Sequence, residues 1–145
     1  MKPKISEQYF HTLLHQPDAL EAVSAISGFW AHRADKSKPM FGLSFPEYQC
    51  QLVLVYSGEI GNGGHLQFFA NRGLERINDY VSALDAISLS NLADILRKAA
   101  KTPADLQGLH NLDIQAWPYM SAVERALQAF LQVNSSQVLQ QERLQ

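Results

Sequence analysis

Five polar residues between positions 59 and 71 are of the types that carry chemistry in proteins: Glu59, Asn62, His65, Gln67 and Asn71. A carboxylate and an imidazole can act as general acid and base, and amides can hold a peptide backbone or a small ligand. The set lacks a nucleophile, so catalysis is the weaker interpretation. We favour a structural role for the carboxylate and the three amides, in which they satisfy backbone groups at a junction between helices. For His65 we favour packing over a role as general base.

Other candidate sites are weaker. His11 and His15 are four residues apart, a spacing that places two metal ligands on one face of a helix, but no motif supplies a third ligand. Cys50 lies in an apolar stretch and His110 is isolated, and no serine lies in a nucleophile elbow. The free amides of the glycine-rich corner at residues 61–64 could bind an anion near a helix start, yet neither dinucleotide-binding nor phosphate-loop spacing is present. The sequence therefore predicts no catalytic residue, no metal and no cofactor.

Helices must position the polar residues. The glycines at 61–64 permit the positive φ angles needed where one helix stops and another begins. Ser44 and Glu47 form a capping box for the preceding helix, and Pro46 is tolerated in its first turn. The apolar run Leu52–Tyr56 could instead be a strand, but the helix length and the capping box favour a helix.

Capping residues and prolines indicate further helix starts. They are Asp18 with Glu21, Ser90 as an N-cap, Pro103 and Asp105 as first and third helical positions, and Pro118 before a final long helix. Apolar residues at helical spacing predict the buried faces. These include Tyr9, Phe10, Leu20, Trp30, Leu66, Phe68, Phe69, Leu74, Met120, Leu127 and Phe130.

The predicted fold is all-α: one irregular multi-helix domain over residues 1–145, with about six to eight helices and a glycine-rich helix–helix corner at residues 61–64. We expect a polar loop at Lys36–Pro39 and a frayed or partner-docked tail at residues 134–145. No strand is predicted.

From Glu59 to Gly73 the chain reads Glu-Ile-Gly-Asn-Gly-Gly-His-Leu-Gln-Phe-Phe-Ala-Asn-Arg-Gly. This order resembles the signature of the DNA mimic protein 19-like family, a bacterial family of helical domains. The resemblance covers about residues 44–101, and His65 stands where the family usually has Phe. It implies a non-enzymatic, protein-binding role. In the family's namesake activity, surface carboxylates stand in for phosphates and occupy the DNA site of a DNA-binding regulator.

The charge pattern bears on that role. The net charge is only −2, which argues against a direct nucleic-acid binder. Between residues 41 and 96, however, there are six acidic residues and two basic ones, Arg72 and Arg76. We predict an acidic, partner-binding surface formed by Glu75, Asp79 and Asp85, which would steer association with a basic protein. The alternative is an ordinary solvated helix face that the two arginines partly neutralise.

The single cysteine and the absence of a secretory signal at the N-terminus predict a cytoplasmic protein, and no apolar run is long enough to span a membrane. We expect a protein partner, and a homodimer stays open. A different class of function is a small enzyme or ligand-binding protein that uses the Asn62–Asn71 corner as a polar pocket, with His65, Gln67 and Asn71 as contacts. A third is a scaffold read through Trp117 and Tyr119, although we expect these two to cover the core before the last helix.

Overall fold

The computed structural model describes residues 6–33, 35, 37 and 39–138. These residues form eight helices and no strand, which confirms the all-α prediction. The helices are α1 (Glu7–Leu14), α2 (Ala19–Arg33), a 3₁₀ helix (Pro39–Gly42), α3 (Phe45–Arg72), α4 (Ile77–Ala86), α5 (Ser90–Lys101), α6 (Leu106–Met120) and α7 (Val123–Val133). The run Leu52–Tyr56 lies inside α3, so the strand alternative is wrong. Residues 1–5 and 139–145, and Lys36 and Lys38 of the predicted loop, lie outside the described residues.

Two predicted helix starts are confirmed by their hydrogen bonds. The Ser44 Oγ donates to Glu47 Oε1 at 2.8 Å, and the Glu47 N–H donates back to Ser44 Oγ at 3.4 Å. The Glu21 N–H donates to Asp18 Oδ1 at 3.2 Å, as expected for an N-cap and its third helical residue.

Three other helix-end predictions are wrong. Leu89, not Ser90, is the N-cap of α5, and it makes no side-chain cap bond. Asp105 is the N-cap of α6 rather than its third residue, since its carboxylate accepts the Gly108 N–H at 3.0 Å. Pro118 lies inside α6, and the last helix begins at Val123. Residue type alone does not fix these positions, because an aspartate suits the N-cap as well as the first turn, and α6 accommodates a proline near its C-terminal end.

The described residues divide into two compact units. The first unit takes its residues from segments 1–51 and 124–145. In it α1 packs on α2, and the side chains of Gln128 and Gln132 in α7 donate to the Leu14 carbonyl at 2.8 and 2.7 Å. Those amides satisfy a carbonyl that the end of α1 would otherwise leave unpaired. Val138, the last described residue, is buried.

The second unit is Leu52–Val123. Helices α4, α5 and α6 pack in sequence, α4 on α5 and α5 on α6. Phe68 is fully buried between two tyrosines, with edge-to-face ring contacts to Tyr56 (5.3 Å) and Tyr80 (4.9 Å). Such contacts add to the stabilisation from burial of the rings and hold α3 against α4.

Several residues predicted to be buried are exposed. They are Tyr9, Leu20, Leu66, Leu74, Trp117 and Tyr119. Leu20 is 58% exposed in the first turn of α2, where an apolar residue at helical spacing lies on the outer side. Apolar residues at helical spacing therefore include some that the fold leaves exposed, because apolar atoms also make up much of any protein surface.

Candidate functional site

The predicted corner is a kink at one residue of α3. Gly64 has φ 75° and ψ −168°, a conformation essentially restricted to glycine, while the residues on either side are helical. The kink divides α3 into a first arm (45–63) and a second arm (65–72). A side chain at Gly64 would also overlap the carboxylate of Asp113 in α6. Both constraints require glycine at this position.

Asp113 caps the second arm from a distant part of the chain. Its Oδ1 accepts the His65 backbone N–H at 2.9 Å and the His65 Nδ1–H at 2.6 Å. A helix start leaves its first N–H groups unpaired and carries partial positive charge, so a carboxylate here satisfies a donor and interacts favourably with the helix dipole. Because the His65 N–H is bonded to Asp113, it is not available to bind the anion that the sequence analysis considers at this corner.

The Asp113 bond fixes the tautomer of His65. Because the ionised carboxylate can only accept, Nδ1 carries the proton and Nε2 accepts from the Tyr56 hydroxyl at 2.8 Å. His65 and Tyr56 are both fully buried, whereas the Asp113 side chain is 27% exposed. The result is a chain of hydrogen bonds, Tyr56 to His65 to Asp113, that joins the two arms of α3 to α6.

Burial favours the neutral forms of Tyr56 and His65, the two buried members of these hydrogen bonds. Loss of hydration lowers the pKa of His65, and the nearby Asp113 carboxylate only partly opposes this effect. Burial, followed by the charge of Asp113, raises the pKa of Tyr56. An imidazole of lowered pKa beside a hydroxyl resembles an acid–base pair, but neither group can reach a substrate because both are sealed in the core.

Glu59 organises the remaining polar residues of the motif. Its Oε2 accepts from the Gln67 and Asn71 side-chain amides, each at 2.9 Å, and its Oε1 lies 3.3 Å from two nitrogens of Arg72. Gln67 and Asn71 are four residues apart on the second arm, so both amides face the same carboxylate. These bonds lower the pKa of Glu59, first through Gln67 and Asn71. The network ties the first arm to the second.

Asn62, the fourth polar residue of the motif, is exposed and lies apart from that network. It lines an open groove of ≈ 390 Å³ on the second unit. The other lining residues come from the kink of α3 and from α6: Ile60, Gly61, Gly63, Gly64, Asp113, Ile114, Trp117 and Pro118. None of His65, Gln67 and Asn71 lines it, so those residues are not the pocket contacts that the ligand-binding alternative required.

The acidic residues of segment 41–96 are less exposed than their number suggests. Glu47 and Glu59 are buried. Asp85 and Asp94 both pair with Arg97, at 2.5 and 2.6 Å. Glu75 and Asp79 remain exposed and make no ion pair with the residues that the structure describes. Among the described residues, therefore, two carboxylates of the predicted surface have no counterion, and the third, Asp85, is paired with Arg97.

The histidine pair His11 and His15 and the thiol of Cys50 are the remaining candidates for metal binding or catalysis. His15 bonds through Nδ1 to the His11 carbonyl at 2.9 Å, and their rings lie 4.1 Å apart. Within residues 6–33, 35, 37 and 39–138, no three His, Cys, Asp or Glu side chains come together in a way that could hold a metal ion. Burial, followed by the charge of Glu47, raises the pKa of the Cys50 thiol.

Sequence reasoning does not identify two residues of these networks, Asp113 and Arg97. Asp113 lies 48 positions from its partner His65, so no local pattern in the sequence links the two residues. Arg97 lies one residue beyond the acidic segment, yet it faces Asp85 because α4 and α5 are adjacent. Trp117 is 66% exposed, so the expectation that it covers the core is wrong, and its side chain is accessible, as the scaffold alternative requires.

These features define a helical protein whose most distinctive segment is a hydrogen-bonded kink rather than an exposed catalytic centre. A profile of the DMP19-like protein family matches residues 42–132, and the chain belongs to that family. Neither the curated proteins nor the solved structures contain a match to this chain. In the part of the chain that the structure describes, no helix combines the length and the apolarity needed to cross a membrane.

Proposed function

We propose that this protein is a non-enzymatic regulator that binds another protein in the bacterial cytoplasm. In this proposal the acidic surface of Glu75, Asp79 and Asp85 occupies the DNA site of a basic DNA-binding protein. The observation that carries the proposal is the exposure of these three carboxylates on and just before α4, in a chain of the DMP19-like family. Exposed carboxylates are the groups that can stand in for phosphates.

The distribution of charge supports this interpretation. Segment 52–123 contains seven acidic residues and five lysines and arginines, so this unit has a net charge of −2, equal to that of the whole chain. A charge excess confined to one unit favours a local contact with a basic patch rather than long-range attraction by the whole molecule.

The buried hydrogen-bond chain argues against an enzyme at the motif. The imidazole of His65 and the hydroxyl of Tyr56 are used for each other, and both have no accessible surface. The motif then has a structural task, which is to fix the kink between the arms of α3.

The test is affinity capture from a bacterial lysate on immobilised protein, with elution by duplex DNA. A DNA mimic should capture a basic DNA-binding protein that is released by added duplex and by raising the salt concentration, because both compete for the same cationic site. The test variant is the double substitution Glu75→Gln with Asp79→Asn, which should capture less of this protein than the natural sequence does. Capture that is indifferent to duplex DNA, to salt and to these substitutions would contradict the proposal.

A further inference from the structure

We propose that the groove between the α3 kink and α6 binds an arginine or lysine side chain of a protein partner. This site goes beyond the acidic surface, because it is built from other helices, α3 and α6, and from other residues.

Asp113 supplies the charge that selects the occupant. Its Oδ1 is used by His65, whereas among the described residues no protein donor reaches Oδ2. The carboxylate lies in the wall of the groove and is partly exposed. An apolar occupant would cover Oδ2 without giving it a hydrogen-bond partner, which is costly. An anion would be repelled by it.

Trp117 supplies the second contact. It lies four residues after Asp113 on α6, so its side chain is a neighbour of Asp113 on the same helix face. Its side chain is 66% exposed, and Ile114, one turn earlier, is 59% exposed. A guanidinium or ammonium group bound to Oδ2 could rest on the indole as a cation–π contact, while its aliphatic stem covers Ile114.

The size of the groove agrees with such an occupant. A volume of ≈ 390 Å³ is at the lower end of the range for small-ligand sites, and the groove is mostly apolar with few polar groups. The Asp113 side chain does not have to reorient when a ligand binds, because two hydrogen bonds from His65 already hold its carboxylate in place. Preorganisation of this kind reduces the entropy lost on binding.

A titration with small probes tests the site directly. N-acetyl-arginine amide would be added to the isotopically labelled protein, with N-acetyl-citrulline amide as the neutral isostere and N-acetyl-leucine amide as the apolar probe. We expect arginine to shift the indole N–H signal of Trp117 and to leave that of the buried Trp30 unchanged. Citrulline should bind roughly tenfold more weakly, because it lacks the charge needed for both contacts.

Two variants and one control locate the binding. Asp113→Asn keeps an oxygen that can accept from His65 but removes the charge, and Trp117→Leu removes the aromatic face at an exposed position. Each should weaken arginine binding by roughly two- to fivefold or more. Leu106→Ala removes an equally exposed apolar side chain of α6 that lies outside the groove, and it should have no effect.

Three results would overturn the proposal. The first is equal binding of arginine and citrulline, or tighter binding of leucine. The second is arginine binding that Trp117→Leu leaves intact, which also decides the matter if Asp113→Asn does not fold. The third is a Trp117 signal that responds to protein concentration and not to arginine, because a second copy of the chain would then fill the groove.

Discussion

Gly64→Ala is the sharpest test of how the kink is held. The substitution places a methyl group where φ is 75° and ψ is −168°, a backbone region that costs a non-glycine residue about 1–3 kcal/mol. The same methyl overlaps the Asp113 carboxylate, so the cap on the second arm must move. A hydrogen bond to a charged group contributes about 1.5–3 kcal/mol, and Asp113 accepts two from His65.

With the bonds to Asp113 partly lost rather than abolished, we expect Gly64→Ala to lower the free energy of unfolding by about 3–5 kcal/mol. That is a large share of the 5–15 kcal/mol that a typical domain has in total. The assay is urea unfolding followed by circular dichroism. For a slope of about 2 kcal/mol per molar, the midpoint should fall by roughly 1.5–2.5 M.

Gly61→Ala is the matched control. Gly61 is exposed in the first arm, and a methyl group there would meet no atom within 4 Å. Alanine in a helix interior is favoured over glycine by about 0.5–1 kcal/mol, so this variant should be slightly more stable than the natural protein. If Gly64→Ala differs from Gly61→Ala by less than 1 kcal/mol, the kink is not constrained by Asp113 and our reasoning is wrong.

Three further predictions concern the hydrogen bonds at the kink. Tyr56→Phe removes the donor to His65 Nε2 and should cost about 1–2 kcal/mol in urea unfolding, whereas Tyr119→Phe, at an exposed position, should cost little. Because folding lowers the pKa of His65 below its unfolded value of 6.5, the unfolded chain binds more protons than the folded one just below pH 6.5. The stability that neutral His65 contributes is therefore fully present above pH 6.5 and is lost as the pH falls through the folded pKa. The free energy of unfolding measured between pH 7 and 5 should show this slope, which His65→Phe should abolish and His110→Gln should not. Glu59→Gln should lower the thermal midpoint, because Glu59 accepts two amide donors and contacts an arginine, and an unchanged midpoint would show that the network is dispensable.

Much of the fold is encoded locally. The capping pairs Ser44–Glu47 and Asp18–Glu21 could be predicted because each bond joins residues three apart, and the all-helical class follows from apolar spacing. The corner was also predictable, since several glycines within a helical pattern indicate a break. Which glycine takes the positive φ was not, because the choice depends on Asp113 in another helix.

The candidate site depends more on tertiary structure. Gln67 and Asn71 could be placed on one face from their spacing, but Glu59 as their common acceptor required the kink that brings the arms together. For the same reason, the number of acidic residues in segment 41–96 exceeds the number of exposed carboxylates without a counterion among the described residues. Burial of Glu47 and pairing of Asp85 with Arg97 are consequences of packing, which charge counts along the chain do not contain.

The central proposal is that exposed carboxylates near α4 bind a basic partner, and one comparison tests it most directly. The affinity for a captured partner would be measured for the natural protein, for Glu75→Gln with Asp79→Asn, and for Arg97→Gln. We predict roughly fivefold weaker binding for the double variant and roughly two- to fivefold tighter binding for Arg97→Gln, which frees Asp85 and Asp94 from their counterion. Both effects should shrink at high salt. Unchanged affinities, or changes of the same sign in both variants, would contradict the proposal.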